Sequence, residues 1–260
     1  MNRNERLGQI GLGQPGAEQA LGMEAGRQAL TRRGFLAGSA ALLGGGALLA
    51  LPGVAKAHDT ADPPSDIDIL NYALTLEHLE YAFYRDGLRV FNARDFERSK
   101  LFRGSGNFIT RSVYDYFRLI RDHEDTHVDT LEGLLGTDAV PELDYNFKTE
   151  AFTSLKQFIS VAQLLENTGV TAYDGAIAYI EQAELLTAGA QIATVEARHA
   201  SYLNLLNRDV PFPDAFDMPV APRDVFDAAA GFITTPLDQE YGPYDSLSEF
   251  RDLLPDEVIQ

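Results

Sequence analysis

The chain has 260 residues, 45% of them hydrophobic, with 39 Asp and Glu against 21 Lys and Arg. That length and apolar content suffice for one large domain with a full core. The formal net charge of -18 repels nucleic acid and anionic membranes, and the absence of cysteine excludes disulfides, thiolate metal sites and cysteine nucleophiles.

Residues 1–30 are rich in Gly, Gln and Glu, show little periodicity and read as a leader. Thr31-Arg32-Arg33-Gly34-Phe35-Leu36 follows, then an apolar run over 37–51 and Ala55-Lys56-Ala57. A basic pair, an apolar stretch and a small-residue site, in that order, predict an export signal over 1–57 cleaved after Ala57. A membrane anchor is the competing reading, but the run is short and rich in Gly and Ala. The paired arginines resemble a twin-arginine signal, which implies export of the folded chain to the periplasm or the extracellular space and no membrane contact after cleavage. Residues 58–65, with Pro63 and Pro64, are a linker.

Four helices are expected next. The first spans 66–89, with Ser65 or Asp66 as N-cap and a stripe of Leu70, Leu74, Glu77, Tyr81 and Tyr84. Glu80 lies close beside that stripe, as an alternative ligand or as an acid that supports a ligand or faces water. The second spans 109–135, stops at Gly136 and carries Val113, Phe117, Ile120, Glu124, His127, Leu131 and Leu134 on one face. Residues 136–150 contain Pro141 and have no helical stripe. Extended, these fifteen residues reach roughly 50 Å, more than the roughly 40 Å of a helix of this size. They predict a long crossover that leaves the second and third helices parallel. The third helix spans 152–180, with Ile159, Ala162, Glu166, Gly169, Tyr173, Ala176 and Ile180 on its stripe. The fourth spans 185–207, with Leu185, Gly189, Ile192, Glu196, His199, Leu203 and Leu206. Residues 208–260 are Pro-rich, with short apolar clusters at 225–233 and 247–254, and should pack on the bundle as loops and short helices.

Each of the four stripes is therefore apolar except at its middle, where it carries Glu77, Glu124, Glu166 or Glu196. Two of them add a histidine three residues on, His127 and His199, which E-x-x-H puts on the same side of one turn. Burying unpaired charge is costly, so these groups need a partner. Four carboxylates and two imidazoles gathered in one bundle fit two cations, a ligand set known from di-iron and di-manganese bundles. One E-x-x-H is a weak signal; two, each centred in an apolar stripe with matched lone Glu residues, are not. Metal-free ion pairs are the competing reading, but Arg121 and Arg198 fall off the stripes. Tyr84 follows Glu77 by seven residues and Tyr173 follows Glu166 by seven, so each faces its Glu. They are candidates for bonding ligand carboxylates, for carrying an electron, or for plain packing. His78 and His123 adjoin ligands in sequence, hence lie on another helix face, at the surface or behind a ligand.

The stretches LTLEHLEYAFY (74–84), EDTHVDTLEGLLG (124–136), LENTGVTAYDGA (165–176) and IATVEARHASYL (192–203) resemble the ferritin-like superfamily. They are most similar to its exported ferritin-like-domain proteins, which include plant and bacterial desiccation-related proteins. The resemblance implies an all-α, ferritin-like four-helix bundle over 66–207 and metal ligands Glu77, Glu124, His127, Glu166, Glu196 and His199. Tyr84 matches the first-helix tyrosine that ferritins and bacterioferritins keep near the site. The signal and the long tail depart from storage ferritins and argue against a hollow cage. Oxygen and nitrogen donors without sulfur suit two iron ions, with manganese as the alternative. The expected role is oxidation of Fe²⁺ or reduction of O₂ or peroxide as stress protection, with Tyr84 and Tyr173 as catalytic candidates. A metal-stabilised desiccation protein without turnover is the other reading. Metal ions and O₂ or peroxide are the expected partners, and a homo-oligomer is allowed.

Overall fold

The computed structural model describes residues 64–103 and 112–259. The leader, the export signal and nearly all of the linker fall outside them.

Among the described residues the structure is all-helical, with seven α-helices and two isolated β-bridges. Four long helices form the bundle: α1 (Asp66–Val90), α3 (Val113–Leu135), α4 (Leu155–Ala176) and α5 (Ala183–Leu206). Short helices are α2 (Ala93–Arg98), α6 (Pro222–Ala229) and α7 (Leu247–Leu253). None of these helices is long and apolar enough to cross a membrane.

Local chemistry sets the ends. Ser65 caps α1 in a reciprocal box with Asp68, whose Oδ2 accepts from the Ser65 N–H at 2.9 Å. Asn92 and Asp95 form the same box at α2, a short helix the hydrophobic pattern does not reveal. α3 ends at Gly136, whose φ of 59° is the left-handed backbone that favours glycine. α4 begins three residues later than expected, because the Ser154 hydroxyl accepts from the Gln157 N–H. It tightens into a 3-10 turn at Ile177–Tyr179.

α1 packs along α3 and α4 along α5. The crossover leaves the end of α3 beside the start of α1, where Asn71 donates to the Asp138 carbonyl at 2.9 Å and accepts from the Val140 N–H at 3.0 Å. It passes Arg85, which pairs with Glu142 at 3.0 Å, and reaches the far end of α1, where Phe147 meets the Phe83 ring edge-on at 5.5 Å. α4 therefore starts at the end where α3 starts, and the two run parallel. At that end the Phe158 ring packs 5.0 Å from Phe83 and 5.4 Å from Phe117.

The tail closes the opposite side. Val220, Val225, Phe226, Tyr241, Tyr244 and Phe250 join Ile69, Leu70, Leu131 and Ala176 in one apolar core. Tyr241 shares a hydrogen bond with Thr75 at 2.9 Å, and the Tyr244 hydroxyl donates to Asp68 at 2.8 Å. Ile233 bridges Tyr145 of the crossover. With crossover and tail both laid against it, α1 is buried nearly all round, from Ile69 through Glu80 apart from Ala73.

A candidate metal centre

All six expected ligands meet at the middle of the bundle, each from a buried helix position. Glu77, Glu124, Glu166 and Glu196 are at most 1% exposed, and His127 and His199 are 8% and 5% exposed. They form two groups in which one ligand atom per residue lies within 4.8 Å of the others. One group is Glu77, Glu124, His127 and Glu196; the other is Glu124, Glu166, Glu196 and His199. Glu124 and Glu196 belong to both and stand between the halves. Glu77 with His127, and Glu166 with His199, close the two ends.

Within the first group His127 Nδ1 lies 3.1 Å from Glu77, 3.0 Å from Glu124 and 3.2 Å from Glu196. Within the second, His199 Nδ1 lies 3.1 Å from both Glu124 and Glu166. A single ring N–H cannot serve three carboxylates at once. Among the described residues, Glu124 Oε1 and both oxygens of Glu196 are accordingly buried without a hydrogen bond. Without cations, protons carry the balancing charge. Burial pushes the Glu77 carboxyl up to about 8 and the Glu166 carboxyl well above the usual range. Burial opposes the charged form of His127, but the facing Glu124, Glu196 and Glu77 carboxylates outweigh it and push the ring up to about 12. His199 moves the same way for the same kind of reason. Burial would also raise Glu196, but the charged His127 and His199 rings beside it hold it down at about 2. Two divalent cations would offset the four carboxylates and satisfy the orphaned oxygens, so these residues fit a metal pair.

The tyrosines exchange partners across the bundle. Tyr84, from the helix of Glu77, donates to Glu166 Oε1 at 2.5 Å; Tyr173, from the helix of Glu166, donates to Glu77 Oε1 at 2.6 Å. Burial and the facing carboxylates push both phenols well above their usual range, so both remain donors. Each hydroxyl touches a terminal carboxylate, so its role runs through that ligand.

Three further residues shape the centre. His123 reaches from α3 to α5, where its Nδ1 lies 2.9 Å from His199 Nε2 and the rings stack at 5.2 Å. With a cation on His199 Nδ1, Nε2 would carry the ring proton and donate it to His123 Nδ1. Glu80 is buried at 4% exposure, while Tyr81, placed on the stripe by periodicity, is half-buried. Gly169 lies beneath: a Cβ there would stand 3.3 Å from both Glu80 Oε1 and Glu196 Oε2. His78 is buried away from the ligands, 3.8 Å from Glu132, and burial lowers its pKa.

A small cavity of about 40 Å³ lies between α1, α4 and the N-terminal half of α5. Its walls are almost wholly apolar, with Leu76, Ala172 and Gly189 among them. Tyr173 belongs to both places, lining the cavity with its ring and reaching Glu77 with its hydroxyl. Tyr72 also lines it, and its buried hydroxyl has no hydrogen-bond partner among the described residues.

The ferritin-like domain family model matches residues 65–208, from the cap of α1 to just beyond α5. The chain belongs to the ferritin-like domain family, and its buried Glu and His groups are able to hold metal ions. No curated protein matches the chain.

Proposed function

We propose that this is an exported dinuclear metal protein, with iron as the pair and manganese as the alternative, that protects against oxidative stress by oxidising Fe²⁺ or reducing O₂ or peroxide. The observation that carries this reading is the pair of overlapping ligand groups sharing Glu124 and Glu196 in a buried, sulfur-free site. Glu77 and His127 would hold one ion, Glu166 and His199 the other, and Glu124 and Glu196 both. A bound ferrous pair would supply the two electrons that, with two protons, reduce hydrogen peroxide to two waters. Tyr84 and Tyr173 fix the terminal carboxylates, and His123 fixes the His199 ring. The small apolar cavity lined in part by Tyr173, whose hydroxyl bonds Glu77, supports turnover over a purely structural metal pair, because it offers a small apolar oxidant a place one side chain from the site. Export rests on the paired arginines and apolar run of the leader, and the desiccation-related subfamily on the stretches quoted from 165–176 and 192–203.

The test is anaerobic loading with two equivalents of Fe²⁺ followed by O₂ or hydrogen peroxide. A transient visible absorbance with repeated turnover supports the reading. A stably bound metal pair that neither oxidant changes, with melting temperature falling steeply on chelation, would leave a metal-stapled protein without an activity.

A further inference from the structure

The four shared and terminal carboxylates already balance two divalent ions, which leaves Glu80 unaccounted for. It is 96% removed from solvent, at 4% exposure, on the same helix as Glu77 and one turn on. Glu80 belongs to neither ligand group. Among the described residues no side chain donates a hydrogen bond to it, and both ligand imidazoles are engaged by other carboxylates. Its Oε1 and Glu196 Oε2, which among the described residues is itself buried without a hydrogen bond, both border the open space over Gly169. A Cβ at 169 would press on both oxygens at 3.3 Å, so the glycine keeps open the space between them.

We propose that Glu80 is a fifth carboxylate ligand that selects the trivalent state of the metal pair. The proposal rests on the dinuclear reading above. An ionised fifth carboxylate beside two divalent ions is surplus buried charge, which is costly. When one ion is trivalent, five negative charges meet five positive ones, and the surplus disappears. Glu80 and Gly169 thereby bias the centre toward its oxidised form, as a protein whose task is to take electrons from Fe²⁺ requires.

The test uses redox-inert ions on the full chain, so that no turnover is needed. Affinities for Co²⁺ and Ga³⁺ are measured by competition with nitrilotriacetate in the wild type and in Glu80→Gln. The variant should still bind two Co²⁺ with affinity changed by less than about threefold, while its Ga³⁺ affinity falls by about tenfold or more, the range seen when a residue supporting a metal site is lost. Equal changes for both ions, or none, overturn the role of Glu80. If Glu80→Gln does not fold, Gly169→Ala carries the same test: its methyl fills the space, and the Ga³⁺-to-Co²⁺ affinity ratio should fall by a similar factor, while an unchanged ratio overturns the proposal. A wild-type chain that takes up no Co²⁺ fails earlier and removes the dinuclear reading together with this one.

Discussion

At the scale of single residues, conflict with the surroundings is what made the candidate ligands legible. Glu77, Glu124, Glu166 and Glu196 stand in apolar rows, and a charge in such a row must have a partner. Glu80 and His123 lacked that signal, since each lies one position off the row that its own helix presents. Glu80 is buried because it turns into the bundle, where Gly169 of α4 and Glu196 of α5 lie beside it, whereas His78 is buried where Val140 and Glu142 of the crossover lie against α1. His123 becomes legible only when α5 is in place, because its partner is 76 positions away. Its role can be measured. His123→Ala leaves the His199 N–H without an acceptor and should lower affinity for the second ion by about tenfold or more, with the first ion little changed, as read in a two-step metal titration. Tyr173→Phe removes a charge-assisted hydrogen bond of about 1.5–3 kcal/mol from Glu77. Weakening should then appear at the first ion, and Tyr84→Phe should move it to the second, because the two hydroxyls serve opposite ends.

At the scale of elements, the four long helices and their order were readable from 3.6-residue periodicity, and the parallel relation of α3 and α4 from the length of residues 136–150. Ends were less so. Ser154 starts α4 inside a stretch whose Phe152 and Ala151 already look periodic, and the capping hydrogen bond decides the matter. The stripe of α3 drifts in its last turn, so Leu135 is buried and Leu134 is 47% exposed. α2, at six residues, is too short for any period to show, although Asn92 and Asp95 spell its cap. The docking of the tail had no sequence signal beyond its apolar clusters. It depends on close approach at Gly175, where a Cβ would lie 1.8 Å from the Val220 carbonyl oxygen, next to the bond that the Val220 N–H donates to Thr171 at 3.1 Å. Gly175→Ala cannot keep that approach, since the obstacle is backbone. It should destabilise the chain by about 1–3 kcal/mol and expose the 220–254 segment to protease ahead of the bundle, which limited proteolysis would show.

At the scale of the whole molecule, protons and metal compete for one buried site, and stability should report it. In the metal-free chain Glu77 is raised to about 8 and His127 to about 12, with Glu166 and His199 raised as well. The folded chain then holds more protons than the unfolded chain from about pH 4.5 upward. The penalty at Glu77 grows between about 4.5 and 8, and the stabilisation by His127, complete below 6.5, drains away toward 12. Glu196 acts in the opposite sense only in acid, losing its stabilisation as pH falls from about 4.5 through about 2. Chelated protein should therefore melt lower at pH 8.5 than at pH 6, while loaded protein, whose ligands must be deprotonated, should gain from the same change. Thermal melts at the two pH values, with and without metal, give the sign directly. The central claim is that six side chains from four helices share a pair of cations, and counting metal per chain tests it most directly. Protein purified without chelator and titrated anaerobically with Fe²⁺ should saturate at two ions per chain, by elemental analysis after removal of loosely bound metal. A chain that stays folded and retains no ion would contradict it.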